Sequence, residues 1–505
     1  MNRRAFLAAM GLAALGAATG RAANAATGAT PARRRPNILF ILADDMGWGD
    51  VRALNPASHI PTPHLDSLAL GGISFTDAHA GSAACTPTRY GLMTGRHAFR
   101  NKASKGAVIM GFGRPIIEPD RLTVAQMLKA KGYATACFGK WNLGLDIATT
   151  DGKRPNNIWR PTNIDWAKPI GRGPLTQGFD VFYGMAGSLD MSPYTWIDGN
   201  RWGTPATELR PNWRNIKGWG APGWSDEACL PEVTRRTVEY IEGRKGKAEP
   251  FFVYMPLPAP HAPLCPLPEY KGRTDIGPHG DYCVEIDDMV GKVLDALERT
   301  GQAEDTLVLF SSDNGFWRIL DAKGLEAKGH HPSGGFRGYK AEIHEGGHRV
   351  PFFVRWPRAI APGRVCADPV TLLDFMATCA DIVGAPLPDN AAEDSMSLLP
   401  LLRGERLGRP LHPYLIHHSN DGSLGIRKGK WKLARCRGDG NGGLQGFPAG
   451  TKAKDLPPVQ LFDMALDPHE TRNVQAEHPD VVRELSALIQ QAVQSGRTAP
   501  KRATP

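Results

Sequence analysis

Residues Pro36 to Ala43 are almost continuously apolar, and the run stops abruptly at Asp44-Asp45. A short apolar run of this kind, lacking the alternation of a half-exposed strand, predicts a strand covered on both faces. The pattern recurs at Thr306 to Ser311, which ends in Ser312-Asp313-Asn314-Gly315 after an amphipathic helix expected over roughly Tyr282 to Thr300. Helix followed by buried strand points to an α/β sheet. Two further pairs fit it: a helix over Leu122 to Lys131 with a strand over Tyr133 to Phe138, and a helix over Leu230 to Gly243 with a strand over Phe251 to Met255.

In open α/β sheets ligands gather beyond the carboxyl ends of the strands. Asp44, Asp45, Asp313 and Asn314 therefore converge as four oxygen donors. Three carboxylates packed together repel one another, so a cation is the natural compensation, and an all-oxygen set favours calcium, then magnesium, over zinc. The alternative for either dipeptide by itself is a turn or helix cap.

A chain of 505 residues exceeds the usual size of one core, so a large domain and a smaller one are expected. The large one is assigned to residues 36–399. From 400 to 497 the character changes to a small α+β subdomain: a hairpin over Leu424 to Arg435, a strand over Val459 to Met464 and an amphipathic helix over Pro479 to Ser495. A basic tail covers 498–505. The stretch from Asp151 to Asp226, rich in Trp, Pro, Gly and Asn, has little periodicity and is expected to be a surface excursion, a kind of segment that often carries function.

The amino terminus has a basic start with Arg3-Arg4, an apolar run from Phe6 to Ala18, and small residues ending in Ala23-Asn24-Ala25. This predicts an export signal over 1–25, of twin-arginine type, with the general secretory route as the alternative, followed by a linker over 26–35. The run rises about 20 Å as a helix, short of a hydrocarbon core, so no stable membrane anchor is expected. The expected location is the periplasm or the exterior. Loss of Arg3, Arg4 and Arg21 takes the formal net charge from +9 to +6. No long Lys/Arg run or aromatic-interleaved basic stretch supports nucleic-acid binding. The eight cysteines lack zinc-type spacing.

Cys85-Thr86-Pro87-Thr88-Arg89, followed by Gly95-Arg96, resembles the signature of the formylglycine-dependent sulfatases. Three further stretches match the same family in order: Gly139-Lys140-Trp141, Pro258-Ala259-Pro260-His261-Ala262-Pro263, and Arg337-Gly338-Tyr339-Lys340 with Glu345-Gly346-Gly347-His348-Arg349-Val350-Pro351. Gln460-Leu461-Phe462-Asp463 and Asp467-Pro468-His469-Glu470 match its C-terminal pattern. The resemblance implies an alkaline-phosphatase-like fold, a large mixed sheet between helical layers with a small antiparallel sheet and helix at the end. It also implies that a maturation enzyme oxidises Cys85 to formylglycine, whose hydrate attacks sulfur. By the same resemblance Lys140, Lys340, Arg89 and the cation clamp the sulfate, and His261 protonates the leaving alcohol oxygen. The implied substrate is a sulfated small molecule or glycan.

The sequence departs from the family at Asn142, where histidine is usual and is credited with taking a proton from the hydrate. Asparagine can hydrogen-bond but cannot accept that proton. Two alternatives stay open at this point: a phosphate or phosphonate ester hydrolase of the same superfamily, and a catalytically silent binder of sulfated glycans. Trp317, Arg318, His331, His417 and His418 are candidates for contacting the alcohol part.

Overall fold

A computed structural model describes residues 35–444 and 450–502. The leader expected over 1–25 and most of the linker lie outside the described residues.

The chain builds a ten-stranded mixed sheet in the order Arg364–Cys366, Ile73–Phe75, Phe352–Arg355, Thr306–Ser312, Asn37–Ala43, Phe251–Pro256, Ala134–Lys140, Val181–Met185, Ile197–Asp198 and Arg201–Trp202. The five strands from Thr306–Ser312 to Val181–Met185 run parallel, while Phe352–Arg355 pairs antiparallel with both its neighbours. Asn37–Ala43 lies between Phe251–Pro256 and Thr306–Ser312, and its side chains alternate between two cores. Ile38, Phe40 and Leu42 face one core with Phe375 and Met376 of the helix Phe375–Val383. Leu39, Ile41 and Ala43 face the other, with Ile286, Val290 and Val293 of the helix Pro278–Arg299. Burial on both faces accounts for the unbroken apolar runs.

The helix Pro63–Leu70 shows how closely the second layer packs. Thr62 makes no side-chain cap, and the carboxylate of Asp287 instead accepts from His64 N at 3.0 Å and Leu65 N at 2.8 Å. A Cβ at Gly291 would lie 2.6 Å from the His64 ring, so any larger residue there would displace that side chain from its seat between the two helices.

The C-terminal part is a four-stranded antiparallel sheet, Leu415–His418, Leu424–Lys428, Trp431–Ala434 and Gln460–Asp463. Leu485, Ile489 and Ala492 of the helix Pro479–Ser495 pack against Ile416, Ile426, Leu433 and Leu461. Lys432, fully buried, reaches out of this sheet to Glu345 at 3.0 Å and to Glu470 at 2.7 Å.

The excursion over 151–226 is more ordered than its sequence suggests. It contains the sheet strand Val181–Met185 and the hairpin Glu208–Pro211 with Lys217–Gly220. The five residues Val-Phe-Tyr-Gly-Met are too few, and too interrupted by glycine, to stand out by period. All eight cysteines are free thiols, and no helix among the described residues is long and apolar enough to cross a membrane.

Candidate active site

Because the central strands are parallel, the residues that follow them meet at one edge of the sheet. Lys140 ends its own strand, Asp44-Asp45 and Asp313-Asn314 follow theirs directly, and His261 lies five residues beyond Pro256. Backbone bonds lace these ends together, Asp44 N to Ala259 O at 2.9 Å and Asp313 N to Ala43 O at 3.1 Å. Cys85 enters from the side as the first residue of the helix Cys85–Thr94, all ten residues of which are buried. That helix ends at Gly95 with φ +62, where an added Cβ would also lie 2.8 Å from that of Ala392, so the glycine of the Gly95-Arg96 pair has a steric reason.

The charged groups pair across this edge. Lys140 Nζ donates to Asp44 Oδ2 at 2.6 Å, and Lys340 Nζ lies 2.7 and 2.8 Å from the two oxygens of Asp45. Arg89 donates from Nε and Nη2 to Asp313 Oδ2 at 2.9 and 2.7 Å, and from Nη1 to Lys140 O at 3.2 Å. Asn314 Nδ2 donates to Asp45 Oδ1 at 2.7 Å. His261 Nε2 is 3.7 Å from Asp45 Oδ2, while Nδ1 is 2.8 Å from Ala262 O, to which it can only donate. All nine residues singled out from the sequence as catalytic or metal-binding lie in this cluster, and all are buried but Lys340, whose side chain is one-tenth exposed.

Burial alone would raise the Asp44 carboxyl, but the charges of Lys140, His261, Arg89 and Lys340 hold it well below the usual carboxylate range. Asp313 goes the other way, pushed up to about 6 by burial and by the neighbouring charges of Asp44 and Asp45, against Arg89 and Lys140. Burial also raises the Cys85 thiol.

These residues fit a hard divalent cation. Asp44 Oδ1 and Asn314 Oδ1 are buried acceptors without a hydrogen-bond partner, and the donor set is all oxygen. Asp44, Asp45 and His261 also bring ligand atoms within 4.8 Å of one another.

Cys85, His261 and Lys340 open onto a pocket of about 350 Å³. Of the residues expected to contact the alcohol part, Trp317 lines it. Arg318 instead pairs with Glu342 at 3.2 Å, His331 is exposed, and His417 and His418 are buried within the strand Leu415–His418. The rest of the wall includes Trp159, Asp190, Asn212 and Arg214, none of which carries a motif. Their only signal is that they belong to the long aromatic and asparagine-rich excursion.

Asn142 sits beside the pocket wall with φ +53. Its Oδ1 accepts from Thr86 Oγ1 at 3.0 Å and its Nδ2 donates to Ile109 O at 2.7 Å, so both ends of the amide are engaged.

A family model described as Sulfatase matches residues 36–385. The N-acetylgalactosamine-6-O-sulfatase of Bacteroides thetaiotaomicron is 31% identical, with 90% of this chain and 93% of that protein aligned. Human arylsulfatase A is also 31% identical, over 90% of this chain and 87% of its own. A solved structure from Bacteroides thetaiotaomicron, obtained in work on its metabolism of multiple glycosaminoglycans, superposes with a TM-score of 0.77 at 30% identity, covering 91% of this chain and all of that one. A phosphonate monoester hydrolase from Silicibacter pomeroyi, at 20% identity and a TM-score of 0.62 over 92% of this chain and 96% of its own, shares the fold. With the family model covering residues 36–385 and relatives 31% identical over nine-tenths of the chain, the chain belongs to the sulfatase family, whose members hydrolyse sulfate esters.

Proposed function

We propose that this protein is an exported hydrolase of sulfated carbohydrates, releasing inorganic sulfate with a formylglycine at position 85 and a calcium ion as its essential groups. The observation that carries the reading is that Cys85, His261 and Lys340 open onto one pocket while Lys140 and the oxygen donors Asp44, Asp45, Asp313 and Asn314 cluster with them at the same edge of the sheet. The carbohydrate preference draws on the N-acetylgalactosamine-6-O-sulfatase relative.

Conversion of the Cys85 thiol supplies a hydrated aldehyde, with one hydroxyl to displace the ester oxygen and a second to expel sulfate. A cation held by Asp44, Asp45, Asp313 and Asn314 supplies positive charge where negative charge builds up on the transferring group. Lys140 and Lys340, now resting on Asp44 and Asp45, are the chain's own cations for the sulfate oxygens. Arg89 acts one step back, fixing Asp313 and the end of the Lys140 strand. His261 gives its Nδ1 proton to Ala262 O, which leaves Nε2 to deliver a proton to the departing alcohol. Its ring lies against Trp317, with centroids 5.3 Å apart and planes tilted by 38°, which limits rotation away from that position.

This role requires two partners, a maturation enzyme that reads Cys85 to Arg89 and an export apparatus that reads the leader. The test is mass spectrometry of the peptide containing residue 85, together with sulfate release from defined sulfated sugars. Full activity in protein whose residue 85 is an unconverted thiol would overturn the proposal, as would activity in Cys85→Ala.

A further inference from the structure

The pocket wall carries two charged side chains that the hydrolytic chemistry does not use. Asp190 is 7% exposed, and its Oδ1 has no hydrogen-bond partner. His261 Nδ1 lies 3.9 Å away, but its proton already goes to Ala262 O. A buried acceptor left unpaired is costly, so a bound ligand is the natural source of its donor. The sulfate group carries no proton to give, which leaves a hydroxyl or amide N–H on the alcohol part.

Arg214 stands at the tip of the hairpin Glu208–Pro211 with Lys217–Gly220. Its guanidinium lies 5.2 Å from the Trp213 ring and 5.4 Å from the Trp317 ring, and among the described residues it makes no ion pair or side-chain hydrogen bond. The fork of N–H donors is therefore free for a carboxylate or sulfate. Lys340 Nζ lies 4.7 Å from the same Trp317 ring, so the charges of Lys340 and Arg214 are at most about 10 Å apart. That is the reach of a second anion on the same or the adjoining sugar.

One side chain sets both groups. Asn212 donates from Nδ2 to Asp190 O at 2.9 Å and accepts at Oδ1 from Arg214 N at 2.9 Å and Ile216 N at 3.0 Å. The hairpin tip and the Asp190 loop are thus held in fixed relation across the mouth of the pocket.

We infer that the pocket selects a sulfated sugar that presents a hydroxyl or amide N–H to Asp190 and a second anionic group to Arg214. The assignment rests on the sulfate-ester reading above and narrows it to polyanionic saccharides.

The test uses full-length Cys85→Ala protein for binding by calorimetry and converted protein for turnover. The ligands are a monosulfated monosaccharide, a disaccharide whose second sugar adds a carboxylate or sulfate, and a planar aryl sulfate. Arg214→Gln should cut the preference for the disaccharide over the monosaccharide about tenfold, and Arg214→Glu should reverse it. Asp190→Leu, close in size and without an acceptor, should cut the preference for the monosaccharide over the aryl sulfate by a similar factor. Preferences unmoved in the variants, with turnover intact, would overturn the selectivity assignment alone. Converted protein that hydrolyses none of the esters, while the Cys85→Ala chain still discriminates among them, would overturn the hydrolase reading and leave the selectivity standing.

Discussion

Arg89 spends two of its N–H groups on one oxygen of Asp313, and both side chains are fully buried. The other oxygen of Asp313 accepts from Asp45 N at 3.3 Å, so the arginine sets the orientation of a carboxylate assigned to the proposed cation site. Truncation would leave Asp313 buried without its partner, beside Asp44 and Asp45. Arg89→Ala is expected to cost about 3–5 kcal/mol of unfolding free energy, measured by urea denaturation, along with loss of activity. Arg89→Lys, with a single point charge in place of the fork, should recover part of the stability.

Removal of the divalent cation with a chelator should lower both activity and melting temperature, because Lys140, Lys340 and Arg89 are then left to offset the mutual repulsion of Asp44, Asp45 and Asp313 without it. At a hundredfold excess over its Kd, a restored cation stabilises the fold by about 2.7 kcal/mol. Calcium should restore both properties better than zinc, given the oxygen-only donors. Melting curves across a series of metals check this, and recovery by zinc alone would contradict it.

Which parts of this arrangement can be read from sequence follows from its physics. Asp44, Asp45, Asp313 and Asn314 are legible because a strand buried on both faces announces itself as an apolar run, and the acidic and amide residues that follow its end must lie at the sheet edge. The small C-terminal sheet shows in the alternation of Leu424 to Arg435. The strand Val181–Met185 stays hidden because five residues carry too little period. Asp190 and Arg214 stay hidden for a different reason. Their placement depends on a hairpin and on the amide of Asn212, contacts that no local pattern encodes.

Asn142 is held at φ +53 with its amide bonded to Thr86 and Ile109. Asn142→Ala would leave the Ile109 carbonyl without this donor in a backbone region that suits asparagine, and a loss of about 1–3 kcal/mol is expected. Histidine tolerates the same backbone region and adds a proton acceptor. Asn142→His should therefore raise kcat for sulfate ester hydrolysis with kcat/KM unchanged, because the added base works after the ester bond is broken. Steady-state kinetics beside a single-turnover measurement separate the two steps.

The pH dependence of stability should carry the mark of Glu285, on the helix Pro278–Arg299. Burial pushes its carboxyl up to about 7 from an ordinary 4.5, against the Leu267 N–H that donates to Oε2 at 2.9 Å, and Oε1 has no hydrogen-bond partner. Below 4.5 the group is protonated in folded and unfolded chains alike, so it carries no penalty there. As pH rises from 4.5 to about 7 the unfolded chain ionises first, and stability is lost through that window before levelling off. Glu285→Gln keeps an acceptor for Leu267 N and cannot ionise. Its melting temperature should match the parent near pH 4.5 and exceed it by a few degrees at pH 8, and a difference that stays constant across that range would show that Glu285 is not the group responsible.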